Sequence, residues 1–244
     1  MTASPGIVLI TGAARRIGRA IALDLAAAGW QVAVHYRRSR DDAEALAADI
    51  RQSGGRAAAV AGDLADAGDV ARLVPRVTAA LGAPTCLINN ASEFLLDSIT
   101  SLSPETWDTH LDINLKAPVF LARALALHLP DGANGNVINI IDQRVWNLSP
   151  DFFSYTISKA GLWTATQTLA QALAPRVRVN AIGPGPVLKS VHQTDADFAG
   201  ECEATMLRRG PTTAEIAAAV RFILAAPAMT GQMIALDGGQ HLTR

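Results

Sequence analysis

A phenol and an ammonium four residues apart, Tyr155 and Lys159, stand at the start of a predicted helix and therefore share one of its faces. An ammonium beside a phenol favours phenolate, which would bring Tyr155 toward neutral pH as a proton donor and acceptor. A Tyr-x3-Lys pair also arises by chance as a surface contact, so its meaning depends on its company. Much of that company lies near the N-terminus, where Thr11-Gly12-Ala13-Ala14-Arg15-Arg16-Ile17-Gly18 follows a short apolar run. Small residues there allow a sharp turn, and the next helix then presents its N-terminus to a pyrophosphate. After the second apolar run comes His35-Tyr36-Arg37-Arg38-Ser39, with no carboxylate for a ribose 2′-hydroxyl. Two guanidinium groups and a hydroxyl suit a 2′-phosphate instead, so the expected cofactor is NADP(H) rather than NAD(H).

The elements that must position these groups alternate along the chain. Strands are predicted near Ile7 to Ile10, Val32 to His35, Ala57 to Val60, Cys86 to Ile88, Val137 to Ile141, Val177 to Asn180 and Met233 to Leu236. Helical spacing occupies Ile17 to Ala28, Asp41 to Ser53, Val70 to Leu81, Glu105 to Leu127 and Ser158 to Ala174. Strands separated by helical crossovers imply an α/β Rossmann fold: one doubly wound, seven-stranded parallel sheet with helices on both faces, in one domain over residues 1–244. The third strand ends at Gly62-Asp63-Leu64 and the fourth at Asn89-Asn90-Ala91-Ser92, both at the edge where such sheets bind ligands. Asp63 is placed to accept from an adenine amino group, or else to cap the next helix. The rhythm breaks after Gly183-Pro184-Gly185-Pro186, and residues 184–212 are expected to form a substrate loop.

Half of the 244 residues are hydrophobic, enough for a core of its own. A formal charge of −1 argues against a global field for nucleic acid or acidic membrane. Cys86 and Cys202 sit in no CxxC or Cys/His cluster, so neither a disulfide framework nor a metal site is expected. Met1 to Gly6 lack the basic and apolar regions of a secretory leader, and the reading is a soluble cytoplasmic protein.

Thr11-Gly12 to Gly18, Asp63-Leu64, Asn89-Asn90-Ala91, Asn114, Tyr155/Lys159 and Pro184-Gly185 together resemble the short-chain dehydrogenase/reductase family across essentially the whole chain. The resemblance implies that Tyr155 is the acid/base group, that Lys159 holds the nicotinamide ribose and tunes Tyr155, and that Asn114 supports a water-linked proton relay. It places Asp237-Gly238-Gly239 near the end of the last strand and implies a homotetramer through the Glu105 to Leu127 and Ser158 to Ala174 helices. Two departures from the general pattern stand out. Arg16 occupies the usual middle glycine, and Asp142, thirteen residues before Tyr155, ends the preceding strand in place of the usual serine.

A serine hydroxyl donates to a carbonyl oxygen that becomes an alkoxide, whereas an ionised carboxylate repels that charge. Reduction of a C=N bond instead leaves a nitrogen that needs a proton. Both departures are shared with the pteridine reductase branch, which the chain also resembles at His35 to Ser39, Asn89 to Phe94, Tyr155-Thr156-Ile157 and Asp237 to Arg244. That likeness implies NADPH-dependent reduction of a dihydropterin such as dihydromonapterin or dihydrobiopterin, or of dihydrofolate. Phe94 would stack on the pterin, and Arg16 and Ser92 would contact cofactor phosphate and substrate. Trp146, Leu148 and Leu188 would line the pocket or form subunit contacts, and His192, Asp195 and Arg208 are read as a solvated loop face. A ketone or 3-ketoacyl thioester reductase and a non-catalytic NADPH-binding sensor remain alternatives.

Overall fold

In the computed structural model, which describes residues 5–243, short segments rich in Val, Ile, Leu and Ala form the strands. Residues 1–4, part of the stretch read for a leader, and Arg244, the last residue of the closing match, lie outside it. The strands are β1 (Ile7–Ile10), β2 (Gln31–Tyr36), β3 (Ala57–Ala61), β4 (Cys86–Asn89), β5 (Gly135–Ile140), β6 (Val177–Pro184) and β7 (Met233–Leu236). They make one sheet in the order β3-β2-β1-β4-β5-β6-β7, and every pairing is parallel. The chain order reverses beside β1, so a crevice opens where the carboxyl ends of β1 and β4 diverge.

Alternation along each strand sends neighbouring side chains to opposite faces. Val8 and Ile10 of β1 pack with Ile21 and Leu25 of α1 (Arg16–Ala27), Leu46 and Ile50 of α2 (Arg40–Gln52), and Val220 of α8 (Thr213–Ala225). Leu9 faces the other way, against Leu73 and Val77 of α3 (Ala67–Ala80) and Leu121 and Leu125 of α5 (Ala117–His128). Both faces are thus covered, which is why the central strands are buried along nearly their whole length.

Three elements differ from the sequence expectation in ways that bear on the site. The single helix expected over Glu105 to Leu127 is α4 (Pro104–Leu111) and α5, joined by a π-helical turn at Asp112–Lys116 that carries Asn114. The long helix α6 (Phe153–Leu173) begins five residues before Ser158, so Tyr155 and Lys159 lie inside its first two turns. The β6 strand continues through Gly183 and Pro184, and the segment after it contains α7 (Asp195–Glu203), opened by a capping box between Thr194 and Asp197.

Candidate active site

The turn after β1 is narrow because Gly12 and Gly18 leave no room for side chains. Gly12 has φ +62, and a Cβ on Gly18 would lie 2.7 Å from the Asn90 amide nitrogen. Asn90 holds the turn by donating to the carbonyl oxygens of Thr11 and Gly12, at 2.9 and 3.1 Å. The first turn of α1 has no acidic residue and no side-chain cap, so its free N–H groups face the groove. Arg16 has φ +54, which is the conformation a glycine would take without strain.

The groove, about 420 Å³, is lined by Gly12, Arg15, Arg16, Ile17, Gly18, His35, Tyr36, Arg37, Arg38, Ser39, Asp63, Leu64, Asn90, Ala91 and Ser92. Their parts differ. Buried His35 accepts from the Gly12 N–H through Nδ1 and donates through Nε2 to the Gly62 carbonyl, both at 3.1 Å. Burial lowers its pKa to about 4, so His35 is a neutral strut and not a cation for a phosphate. Arg15 pairs with Asp42 at 2.7 Å, and Arg37 reaches across to Glu93 at 2.7 Å. Arg38 and Ser39 make no side-chain hydrogen bond with the described residues. Asp63 accepts from Ala65 N–H at 3.0 Å, while the cap of α3 is Asp66. Sequence reasoning missed Glu93, whose signal would have been a carboxylate one residue beyond the Asn-Asn-Ala-Ser run.

Arg16, Ile17, Asn90 and Ser92 also line a second cavity of about 560 Å³ that holds Asp142, Tyr155, Lys159, Phe94, Pro184 and Gly185. The two spaces therefore form one continuous cleft, sized for a dinucleotide end and a small heterocycle. Glycine cradles, free helix N–H groups and two arginines form a donor set that fits an adenine dinucleotide carrying an extra phosphate.

At the chemical end, Tyr155 donates to Asp142 Oδ2 at 2.9 Å, and Asp142 Oδ1 accepts from the Arg144 N–H at 2.8 Å. Burial pushes the Asp142 carboxyl up, against the pull of the Arg144 contacts and of Tyr155. Burial, then the Asp142 charge and hydrogen bond, push Tyr155 well above its ordinary value. The expectation that Lys159 draws Tyr155 toward phenolate is corrected: its Nζ donates to the Ile140 carbonyl at 3.0 Å and stands 5.7 Å from the phenol ring centroid. Burial first, and the carboxylate bonded to the hydroxyl second, set the balance toward the protonated phenol. Burial lowers Lys159 to about 8 despite the opposing Asp142 charge.

Asn114 is fully buried, and its side chain receives the Glu93 N–H at 2.9 Å and the Ser92 hydroxyl at 3.1 Å. It donates to the Glu93 carbonyl at 3.0 Å and to Ser158 Oγ at 3.1 Å. Its amide thus holds the Ser92-Glu93 segment rather than facing the cleft. Phe94 stacks on Phe152 with centroids 4.1 Å apart and meets Tyr155 edge-on at 4.7 Å. Phe152 takes φ +55 to do so.

Leu188 lines the cavity, and its carbonyl accepts from Arg16 at 3.0 Å. Trp146 packs instead on Trp163 and His241, and Leu148 is exposed. His192, expected in a solvated face, lines the cavity and bonds the Phe94 carbonyl at 3.0 Å, whereas Asp195 and Arg208 pair with Lys189 and Glu203. Glu201 of α7 was also missed. It accepts from Gln193 at 2.6 Å and Gln240 at 3.0 Å, and only the folding of α7 and the C-terminal turn brings these three together.

A family model described as short chain dehydrogenase matches residues 6–198. FolM alternative dihydrofolate reductase 1 from Brucella suis, solved in complex with NADP, is 50% identical with a TM-score of 0.96, covering 100% of this chain and 98% of that one. The Brucella canis protein of the same description is 49% identical with a TM-score of 0.94, covering 100% and 97%. The 3-oxoacyl-[acyl-carrier-protein] reductase of Staphylococcus epidermidis is 31% identical over 239 residues, 96% of this chain and 98% of that protein.

Proposed function

The chain belongs to the short-chain dehydrogenase family, and we propose that it is an NADPH-dependent reductase that converts a dihydropterin to its tetrahydro form. The observation that carries this reading is the partly buried hydrogen bond between Tyr155 and Asp142. A carboxylate that already accepts the phenol proton is a poor partner for a nascent alkoxide but a good acceptor for the N–H groups of an amino-substituted ring. The NADP-bound Brucella relatives, named as dihydrofolate reductases, support the same substrate chemistry.

NADPH, when bound, supplies the hydride that reduces the C=N carbon. Gly12, Gly18 and the start of α1 would hold its pyrophosphate, and Arg37, Arg38 and Ser39 its 2′-phosphate. Lys159 would hold the ribose next to the ring. The reduced nitrogen takes its proton from the Asp142–Tyr155 pair, which retains one near neutral pH because burial disfavours the charged form of both groups. Phe94, braced by Phe152, presents its remaining ring face to the heterocycle. Arg16 closes the cavity by linking the phosphate turn to Leu188.

The 3-oxoacyl reductase relatives favour a second reading, reduction of a ketone, which Asp142 opposes. Steady-state NADPH oxidation with dihydromonapterin, dihydrobiopterin, dihydrofolate and a panel of ketones and 3-ketoacyl thioesters separates the two. Turnover selective for the pterins is expected, and turnover with ketones alone would overturn the assignment. Binding of NADPH with no turnover anywhere would leave a sensor.

A further inference from the structure

Behind the wall formed by Phe94 and Tyr155 lie three buried polar residues that the proton chemistry does not use: Asp97, His110 and Ser154, each 3% exposed or less. Their hydrogen bonds have only one consistent direction. The Leu95 N–H can only donate, and it meets His110 Nε2 at 3.0 Å, so that nitrogen carries no proton. The neutral ring then bears its proton on Nδ1, 2.6 Å from Ser154 Oγ, to which it donates. The Ser154 hydroxyl in turn donates to the Asp97 carboxylate. The Ser154 N–H donates to the other Asp97 oxygen at 3.2 Å, and the Phe152 N–H donates to the Asp97 carbonyl at 3.0 Å. Burial lowers the His110 pKa, in keeping with a ring that must stay neutral for Nε2 to accept.

This relay joins two segments far apart in sequence. One is the loop after β4, whose Leu95 and Asp97 lie one and three residues beyond Phe94. The other is the start of α6, whose Ser154 lies between Phe152 and Tyr155. The His110 ring also meets the Tyr155 ring edge-on, with centroids 5.9 Å apart. We infer that His110 is a positioning residue: as a neutral donor and acceptor at fixed spacing, it sets Phe94 against Tyr155 and so fixes where a flat substrate lies relative to the proton donor. Bulk packing alone would be satisfied by any ring of the same size. The relay needs in addition an acceptor toward Leu95 and a donor toward Ser154, and a side-chain amide offers both at similar spacing. The inference rests on the proposed site but not on the pterin as its substrate.

The test compares His110→Phe, which keeps the ring and removes both polar atoms, with His110→Gln, which keeps one donor and one acceptor. Both are assayed in the full-length protein with whichever of dihydromonapterin or the ketone panel the parent reduces best. NADPH affinity is read separately by fluorescence. His110→Phe should lower kcat/KM for the substrate by about 100-fold, the scale of an ångström-sized misplacement, with NADPH affinity unchanged. His110→Gln should restore most of that loss. Should His110→Phe fail to fold, Ser154→Ala breaks the same relay with less disturbance and should give the same split. A folded His110→Phe with parental kcat/KM overturns the inference, as do equal losses in the Phe and Gln variants. A parent that reduces only ketones overturns the pterin proposal while the Phe-to-Gln ratio still decides the role of His110.

Discussion

Asp142 accepts a hydrogen bond from Tyr155 and opposes the fall in the Lys159 pKa, and in the proposed reaction it also offers an acceptor to the substrate. Asp142→Ser should therefore cost about 100-fold or more in kcat/KM for a dihydropterin, the scale of a lost acid/base partner. Parental turnover by that variant, measured as NADPH oxidation, would remove Asp142 from the chemistry. The same carboxylate predicts a pH effect with a defined sign. Lys159 is cationic below about 8 and loses its charge as pH rises through that value. If its cation orients the nicotinamide ribose, kcat/KM falls on the alkaline side with an apparent pKa near 8. Asp142→Asn removes the group that raises this pKa, so the limb should move to lower pH in a pH–rate profile. Residue types and positions at this scale were legible from sequence, because the Tyr-x3-Lys spacing and the acid ahead of it are local. The protonation of Tyr155 was not, since burial and the nearby Asp142 carboxylate act on the phenol only once the strand and helix are folded together.

Loops at the carboxyl ends of the strands place the cofactor groups, and their legibility was uneven. The β2 loop announced its arginines, but nothing in the sequence showed that Arg37 would meet Glu93 from the β4 loop. If Arg37 and Arg38 hold a 2′-phosphate, replacing both with Ala should raise the KM for NADPH by about 100-fold or more and leave NADH nearly unaffected. That estimate takes about 1.5–3 kcal/mol for each hydrogen bond to a charged group. An unchanged NADPH/NADH preference would reduce the pair to a surface feature. Arg16 is more subtle, for its φ of +54 strains any side chain. Arg16→Gly relieves roughly 1 kcal/mol of that strain but loses roughly 0.5–1 kcal/mol more backbone entropy on folding. The two nearly cancel, so Tm should barely move, while loss of the link to Leu188 raises the substrate KM. A large Tm change without a KM change would show that Arg16 serves the turn rather than the cavity. The π-helical turn and α7 were hidden from sequence for another reason. A π turn keeps apolar spacing close to that of an α-helix, and α7 buries no residue fully, so it has no apolar stripe to read.

The order of the sheet follows from the alternation of buried strands with amphipathic helices, which parallel pairing requires and which survives errors of a few residues at each strand end. Strand ends were less legible where glycine and proline intervene: Gly183 and Pro184 signal a loop, yet both pair within β6 against β7. What the protomer leaves uncovered bears on assembly. Between α3 and α5 lies an apolar groove lined by Val70, Ala71, Phe120, Ala124 and Leu127, where Phe120 is 50% exposed and Leu127 67%. Burial of the part of each side chain still exposed is worth roughly 1–2 kcal/mol, a half to two thirds of full burial, and a two-fold interface counts every contact twice. We propose that 25.6 kDa protomers assemble through this groove, with a tetramer as the family resemblance implies. Phe120→Asp combined with Leu127→Asp should lower the mass measured by light scattering after gel filtration. A drop from four copies to two would show that a second interface survives without this groove. A drop to one would make the groove the sole contact. A parental mass for the double variant would place the assembly surface elsewhere and leave this groove a feature of the protomer alone.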